Sequence, residues 1–134
     1  MTRYMLDTAA CIDIIRRKSP LMLARLRREP VGGICISTIT LSELEYGVAR
    51  SSIPDRNRIA LTEFVTPIQV VPYDSRAASN YGAIRADLEA RGVPIGSLDL
   101  LIAAHALSLG FVVVTANERE FSRVPGLRVE NWRG

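Results

Sequence analysis

Residues 111–121 read FVVVTANEREF and predict a buried strand that leads into a short helix. The first four residues are apolar and mostly β-branched, which is typical of a strand covered on both faces. Asn117 and the acids Glu118 and Glu120 come next, as at the start of a helix. A buried strand that ends in polar residues indicates a parallel sheet with a site at its carboxyl edge, where the strands end.

The rest of the chain alternates short apolar runs with helical patterns. Further strands are predicted at 4–6, 34–36, 69–71 and 127–130. Helices are predicted at 11–18, 19–28, 40–50, 54–67, 75–91, 97–109 (with Ser97 as its cap) and from 118 onward. Val31-Gly32-Gly33 is predicted to form a turn. The alternation predicts an α/β three-layer sandwich with a mostly parallel central sheet flanked by helices.

Length and composition restrict the class of protein. The 134 residues suit one domain, which we take to span 1–134. No apolar run approaches the length of a membrane span, and Asp7 and Asp13 interrupt the N-terminal apolar stretch, unlike a signal peptide. A cytoplasmic protein is expected. Cys11 and Cys35 lie in apolar surroundings and are expected to be reduced thiols, so any metal would be held by oxygen.

The charge pattern gives a hint of nucleic acid. Of the 17 basic residues, Lys18 is the one lysine. Arginine grips phosphate through two bonds and stacks on bases, although a GC-rich genome would give the same bias. Six basic residues fall in the first two helices: Arg16, Arg17, Lys18, Arg25, Arg27 and Arg28. This cluster fits RNA, an acidic partner or a solvated face.

Acidic residues fall at the expected carboxyl edge of the sheet. Asp7 follows the first strand, Glu43 lies in the helix after the second, and Asp99 is in the first turn of its helix. Glu118 and Glu120 follow the 111–114 strand. Taken singly, each of these acids could cap a helix, interact favourably with the dipole of a helix at its N-terminus, or face solvent. Together, converging carboxylates repel one another unless a cation lies among them, and oxygen ligands suit Mg²⁺ or Mn²⁺.

The local sequences around these acids resemble a known family. YMLDT (4–8), TLSELEYG (40–47), GSLDLLIAAHA (96–106) and VVVTANEREF (112–121) are similar, in order, to the four motifs of PIN-domain ribonucleases. PGLRVENW (125–132) is similar to the end of enteric VapC-type toxins, the ribonuclease halves of bacterial toxin–antitoxin pairs. The resemblance spans nearly the whole chain.

The resemblance implies which residues bind metal. Asp7, Glu43 and Asp99 match the family's metal-binding acids, and Glu120 matches the fourth. Asn117 or Glu118 could complete the set instead. One or two Mg²⁺ or Mn²⁺ ions are implied.

Neighbouring polar residues are assigned by the same resemblance. Thr8 and Thr115 match hydroxyl residues near the metal, Asn117 matches a polar position there, and Ser37 is a weaker candidate. Ala9 departs from the pattern, because many relatives carry a polar residue at that position.

The resemblance also implies an activity and partners. Expected is a metal-dependent endoribonuclease that hydrolyses an RNA phosphodiester to a 5′-phosphate and a 3′-hydroxyl. The implied substrate is initiator tRNA, cut in its anticodon stem-loop, which would arrest translation. A VapB-type antitoxin would neutralise the toxin, with Leu21, Leu23 and Leu26 as candidate contacts or core residues. A homodimer, a larger complex with the antitoxin, and operator DNA bound only through the antitoxin are implied too.

Other classes fit the residues less well. A haloacid-dehalogenase-type phosphatase needs a second Asp where Ala9 stands, and a response-regulator receiver needs a late lysine, whereas the lysine is Lys18. No P-loop motif is present, and flap-type nucleases are usually larger. His105 is expected to be a structural or surface residue. A PIN domain that binds nucleic acid or a partner without cutting stays open, and activity requiring both Mg²⁺ and Asp7 would separate it from a nuclease.

Overall fold

A five-stranded, wholly parallel sheet forms the centre of the computed structural model, which describes residues 2–30 and 32–133. The strand order is β3-β2-β1-β4-β5. The strands are β1 (Tyr4–Leu6), β2 (Ile34–Ser37), β3 (Gln69–Val71), β4 (Val112–Val114) and β5 (Val129–Glu130). Val31, in the predicted turn 31–33, lies outside the described residues.

Helices cover both faces of the sheet. They are α1 (Thr8–Ile15), α2 (Pro20–Arg28), α3 (Thr38–Ala49), α4 (Pro54–Val65), α5 (Ser75–Ala90), α6 (Ser97–Leu109) and α7 (Glu118–Phe121). Tyr4 and Leu6 point into a core formed with α1 to α4, while Met5 points into a second core formed with α5 to α7. This alternation follows from the two-residue period of a strand. The predicted α/β three-layer sandwich is confirmed.

Several element boundaries differ from those predicted, for local reasons. Helix α1 begins at Thr8, not residue 11, because Asp7 caps it and accepts a hydrogen bond from the Ala10 N–H at 2.8 Å. It ends at Ile15, and Arg17 has a φ of 54°, which a continuing helix does not allow. The prediction of helix to Lys18 was therefore wrong.

Two further boundary predictions need correction. Ser97 is the first residue of α6 rather than its cap, since Gly96 occupies the N-cap position. Helix α6 ends at Gly110, whose φ of 69° is left-handed, as predicted for a terminating glycine. The last strand is only Val129–Glu130, shorter than the predicted 127–130.

Both cysteines lie in the core as thiols. Cys11 and Cys35 are both buried and free, which confirms reduced thiols. Among the described helices, none combines the length and the hydrophobicity that crossing a bilayer requires.

Candidate active site

Asp7 and Thr115 lie side by side at the carboxyl edge of the sheet. Strands β1 and β4 are paired so that Leu6 lies opposite Val114. Asp7 directly follows Leu6, and Thr115 directly follows Val114. The Asp7 N–H donates to the Val114 carbonyl at 3.0 Å, which fixes this approach. The site thus begins where the strand order reverses, the usual binding position in parallel sheets.

Asp7 is a buried carboxyl group, only 3% exposed. Its pKa is raised to about 6, chiefly by the loss of water around it and to a smaller extent by the charge of Asp99. Hydrogen bonds from Thr115 and from the Ala10 N–H oppose this rise by stabilising the ionised form. Asp7 therefore caps α1 and also carries an unfavourable buried charge, which capping alone does not require.

Glu43 is brought to the same edge by the helix that follows β2. It lies in the second turn of α3, and its Oε1 accepts a hydrogen bond from the Thr8 hydroxyl at 2.6 Å. Thr8 is the first residue of α1, directly after Asp7. Thr8 therefore holds Glu43 close to the chain position of Asp7, the first predicted acid.

Asp99, Asn117 and Glu120 form the other side of the site. The Asn117 amide donates to Asp99 Oδ2 at 3.4 Å and also to Glu120 Oε2. Glu120 Oε1 accepts from the backbone N–H of Gly96 at 3.3 Å. Glu118, in contrast, is exposed and makes no such contact. Of the two acids on α7, Glu120 is the one that joins the site.

Asp99 is the electrostatic centre of the cluster. Partial burial raises its pKa first, and the charges of Glu120 and Glu43 raise it further, while the Asn117 hydrogen bond lowers it. Asp99 in turn raises the pKa of Asp7. None of the causes of either shift is a basic side chain, so no cation among the described residues offsets the repulsion that raises the pKa values of Asp7 and Asp99.

The donor set fits a hard divalent cation in kind, although the side chains are not gathered around one point. Among residues 2–30 and 32–133, no three His, Cys, Asp or Glu side chains stand close enough to bind one ion as they are oriented. Glu43 is turned towards Thr8, and Glu120 towards Asn117 and Gly96. The carboxylate, amide and hydroxyl oxygens nevertheless match the ligands that Mg²⁺ and Mn²⁺ prefer.

His105 belongs to a buried network that sequence reasoning missed. It is 1% exposed, so the surface alternative was wrong and the structural one holds. Its Nδ1 lies 2.9 Å from the Ser37 hydroxyl, and its ring meets the Tyr73 ring edge-on. Ser37 also caps α3 by accepting from the Ile39 N–H at 3.0 Å. The Ser37 hydroxyl is therefore occupied here, in a contact that ties the start of α3 to α6.

A separate apolar groove runs between α2 and α4. Its volume is about 590 Å³, and Leu23, Leu26 and Phe64 line it. Leu23 and Leu26 also pack against the core, whereas Leu21 is exposed. Of the predicted basic cluster, Arg17 and Arg27 line this groove, together with Glu29 and Glu63.

The cluster's members have different environments. Arg25 is partly buried, hydrogen-bonded to Glu29 and stacked over Trp132, and it therefore has a structural role. The other five basic residues of the cluster are exposed. These five residues are therefore accessible to RNA, to an acidic partner or to solvent, the three alternatives that the sequence left open.

Comparison with known proteins gives consistent matches along the chain. A family model described as PIN domain matches residues 4–127. The chain is 46% identical over 132 residues to the tRNA(fMet)-specific endonuclease VapC of Shigella flexneri, covering 98% of this chain and 99% of that protein. It is 41% identical to the ribonuclease VapC2 of Haemophilus influenzae (strain Rd), with the same coverage of each protein.

Solved structures agree in fold. A DNA-bound VapBC complex from Salmonella typhimurium contains a chain that matches with a TM-score of 0.93 and 45% identity, covering 98% of this chain and 99% of that one. VapBC2 from Rickettsia felis, bound to a promoter DNA fragment, matches with a TM-score of 0.90 and 35% identity, with the same coverage.

Proposed function

Because this chain belongs to the PIN-domain family, and within it to the VapC ribonucleases, we propose that it is a toxin that cleaves initiator tRNA in the anticodon stem-loop. The chain is an endoribonuclease, a hydrolase of phosphodiester bonds. Cleavage of the initiator would arrest translation in the cytoplasm. We assign the whole chain, residues 1–134, to one domain, and Asp7, Glu43, Asp99 and Glu120 to its metal-binding site.

The observation that carries this proposal is the uncompensated acidic edge around Asp99. The charges of Glu43 and Glu120 help to raise the pKa of Asp99, Asp99 helps to raise that of Asp7, and no basic side chain is among the causes of either shift. An RNA phosphate is itself an anion and would be repelled by such an edge. A divalent cation resolves both conflicts, since it neutralises the acids and attracts the phosphate.

The chain's own residues set the orientation of the acids. The Ala10 N–H and Thr115 hold Asp7, Thr8 holds Glu43, and the Asn117 amide holds Asp99 and Glu120 together. When bound, Mg²⁺ or Mn²⁺ would polarise a phosphate oxygen and lower the pKa of water at the site.

Water is the nucleophile that this site supports. Burial raises the pKa of the Cys35 thiol to about 12 and that of Cys11 well above its usual range, so neither forms a thiolate at neutral pH. The single histidine is buried, and loss of water around it lowers its pKa. Covalent catalysis by a cysteine or the histidine is therefore disfavoured.

An antitoxin of the VapB type is the proposed protein partner, since the matched solved structures are VapBC complexes. The groove between α2 and α4 has an apolar lining that includes Leu23 and Leu26, and two arginines and two glutamates also line it, which suits an amphipathic segment. A homodimer that forms a larger complex with the antitoxin is part of the proposal. Operator DNA would be bound only through the antitoxin.

The test of the proposal is cleavage of purified initiator tRNA compared with bulk elongator tRNA, in Mg²⁺ or Mn²⁺ and in EDTA. A single cut in the anticodon stem-loop of the initiator, lost in EDTA, is expected. Cleavage of other RNAs alone would keep the nuclease and discard the substrate. A protein free of antitoxin that cuts no RNA would support the non-catalytic PIN domain instead.

The two acids of α7 give a matched pair for testing the fourth ligand. Glu120→Gln should reduce the cleavage rate roughly 10- to 100-fold, because Glu120 shares the Asn117 amide with Asp99. Glu118→Gln removes an equal charge from the same helix at an exposed position and should change the rate less than about twofold. Cleavage rates at saturating Mg²⁺ measure both. Equal losses, or a larger loss for Glu118→Gln, would contradict the assignment of Glu120.

A further inference from the structure

One face of α3 carries a row of residues that starts at the acidic edge. Glu43 is followed at three, four and seven positions by Tyr46, Gly47 and the C-cap residue Arg50, so the four residues lie along one side of the helix. Glu43 belongs to the site already described. The other three extend away from it along the same surface and take no part in binding the proposed metal.

Gly47 has no structural reason to be glycine. It lies inside α3, where glycine costs stability relative to alanine, and its φ is not among the positive values. A Cβ added there would meet nothing within 4 Å. Neither backbone conformation nor packing against the described residues therefore requires a glycine. The space above Gly47 is open, and a side chain would fill it.

That space is part of a cleft of about 180 Å³ between α1, α3 and α4. Its floor is apolar and includes Ile12, Leu44 and Val48. Glu43 forms part of its lining, which places the cleft directly beside the acidic edge. An apolar floor of this extent next to a cleavage site suits the flat face of a nucleobase.

The rim of the cleft is basic. Arg16 and Arg50 line it, and both are exposed. Within residues 2–30 and 32–133, neither arginine forms an ion pair, whereas Arg58 on α4 is paired with Glu45. Arg50 lies over the ring of Tyr46, 5.6 Å from its centroid, and Tyr46 is 67% exposed.

We propose that this cleft binds the RNA nucleotide next to the scissile phosphate. The base lies over Gly47 on the apolar floor, with Tyr46 available for stacking, and Arg16 and Arg50 pair with the flanking phosphates. The inference rests on the proposed function and adds a substrate subsite to it. An extended peptide is disfavoured as the occupant because the cleft offers two arginines without an ion pair among the described residues, and one of them, Arg50, lies beside an aromatic ring; this arrangement suits alternating phosphates and bases.

Gly47→Ala tests the subsite, with Gly82→Ala as the matched control. Gly82 is a helical glycine in α5 whose added Cβ also meets nothing within 4 Å. Both changes should preserve or raise the melting temperature, since alanine favours a helix. Only Gly47→Ala should weaken binding of a fluorescent hairpin with the initiator anticodon stem-loop sequence, about tenfold by anisotropy. The binding assay uses chains that also carry Asp7→Asn, so that the RNA stays intact.

The arginines provide a second, independent readout. Arg16→Gln with Arg50→Gln should flatten the dependence of log affinity on log salt by about 1.4, the value for two contacts to single-stranded phosphates. If the wild-type chain cuts RNA but these variants keep the parent's hairpin affinity and salt dependence, the subsite alone is overturned. Loss of antitoxin rescue without loss of RNA binding would also overturn it and assign the cleft to the antitoxin. A wild-type chain that neither binds nor cuts the hairpin would refute the proposed substrate, and this subsite with it.

Discussion

Replacing Asp7 with Asn is expected to abolish RNA cleavage, by about 10³-fold or more, while making the metal-free protein more stable at neutral pH. Cleavage is lost because a neutral amide cannot replace a charged ligand of the proposed metal. Stability rises because Asp7 is buried and its pKa is raised to about 6 from 3.8. A shift of that size corresponds to up to about 3 kcal/mol of unfavourable free energy at neutral pH. Asn also caps helices well, so α1 keeps its cap.

The pH dependence of this gain follows from the direction of the shift. The folded state holds the Asp7 proton more tightly than the unfolded state, so the ionised group destabilises the fold above pH 6. That cost decreases as the pH falls from 6 and is gone below 3.8. The stability advantage of Asp7→Asn should therefore be largest above pH 6 and disappear near pH 4.

Urea unfolding in EDTA at several pH values measures the gain, with RNA cleavage by the same samples as the functional readout. Glu118→Gln is the control, because Glu118 is exposed and its charge is not among the causes of the raised pKa of Asp7. A variant that is less stable than wild type at pH 7.5, or that still cleaves RNA normally, would refute the account of Asp7.

Mg²⁺ or Mn²⁺ should stabilise the wild-type protein against heat, because the ion relieves the repulsion around Asp99. At a free concentration 100 times the Kd, a ligand that binds only the folded state contributes about 2.7 kcal/mol. For a chain of this size that raises Tm by roughly 10 °C. Asp99→Asn should remove most of the increase, since Asp99 is coupled to Asp7, Glu43 and Glu120.

Thermal melts with increasing Mg²⁺ or Mn²⁺ make this measurement without any RNA. Glu118→Gln serves as the control for a general effect of negative charge, and it should keep the full increase in Tm. An equal increase in wild type and Asp99→Asn would show that the ions bind elsewhere.

The fold was predictable because the central strands have wholly apolar sequences, which leave little doubt about their secondary structure. The runs at 4–6 and 111–114 are apolar throughout, and both became buried central strands, although Phe111 precedes β4. Helix ends were harder, since they depend on tertiary contacts. Ser97 resembles a cap in sequence, yet the backbone N–H of the true N-cap, Gly96, donates to Glu120, which is distant in the chain.

The site was predictable in part, for a similar reason. Acids that directly follow strands, such as Asp7, are placed by the sheet itself, so their position follows from the sequence. The choice between Glu118 and Glu120 depended on which side of a four-residue helix faces Asp99, and the sequence left it open. The pairing of His105 with Ser37 joins residues 68 positions apart, although the apolar residues on every side of α6 indicated that His105 would be buried. The metal-binding roles of the four acids stay a prediction.

The central claim is that Asp7 and Asp99 share a divalent ion at the carboxyl edge of the sheet. Its most direct test is the anomalous scattering of a crystal soaked in Mn²⁺. A manganese peak is expected within coordination distance, about 2.2 Å, of a carboxylate oxygen of each residue. The peak should be absent from Asp7→Asn crystals under the same conditions. A peak bound by other residues, or no peak from a protein that cleaves RNA in the same Mn²⁺ buffer, would contradict it.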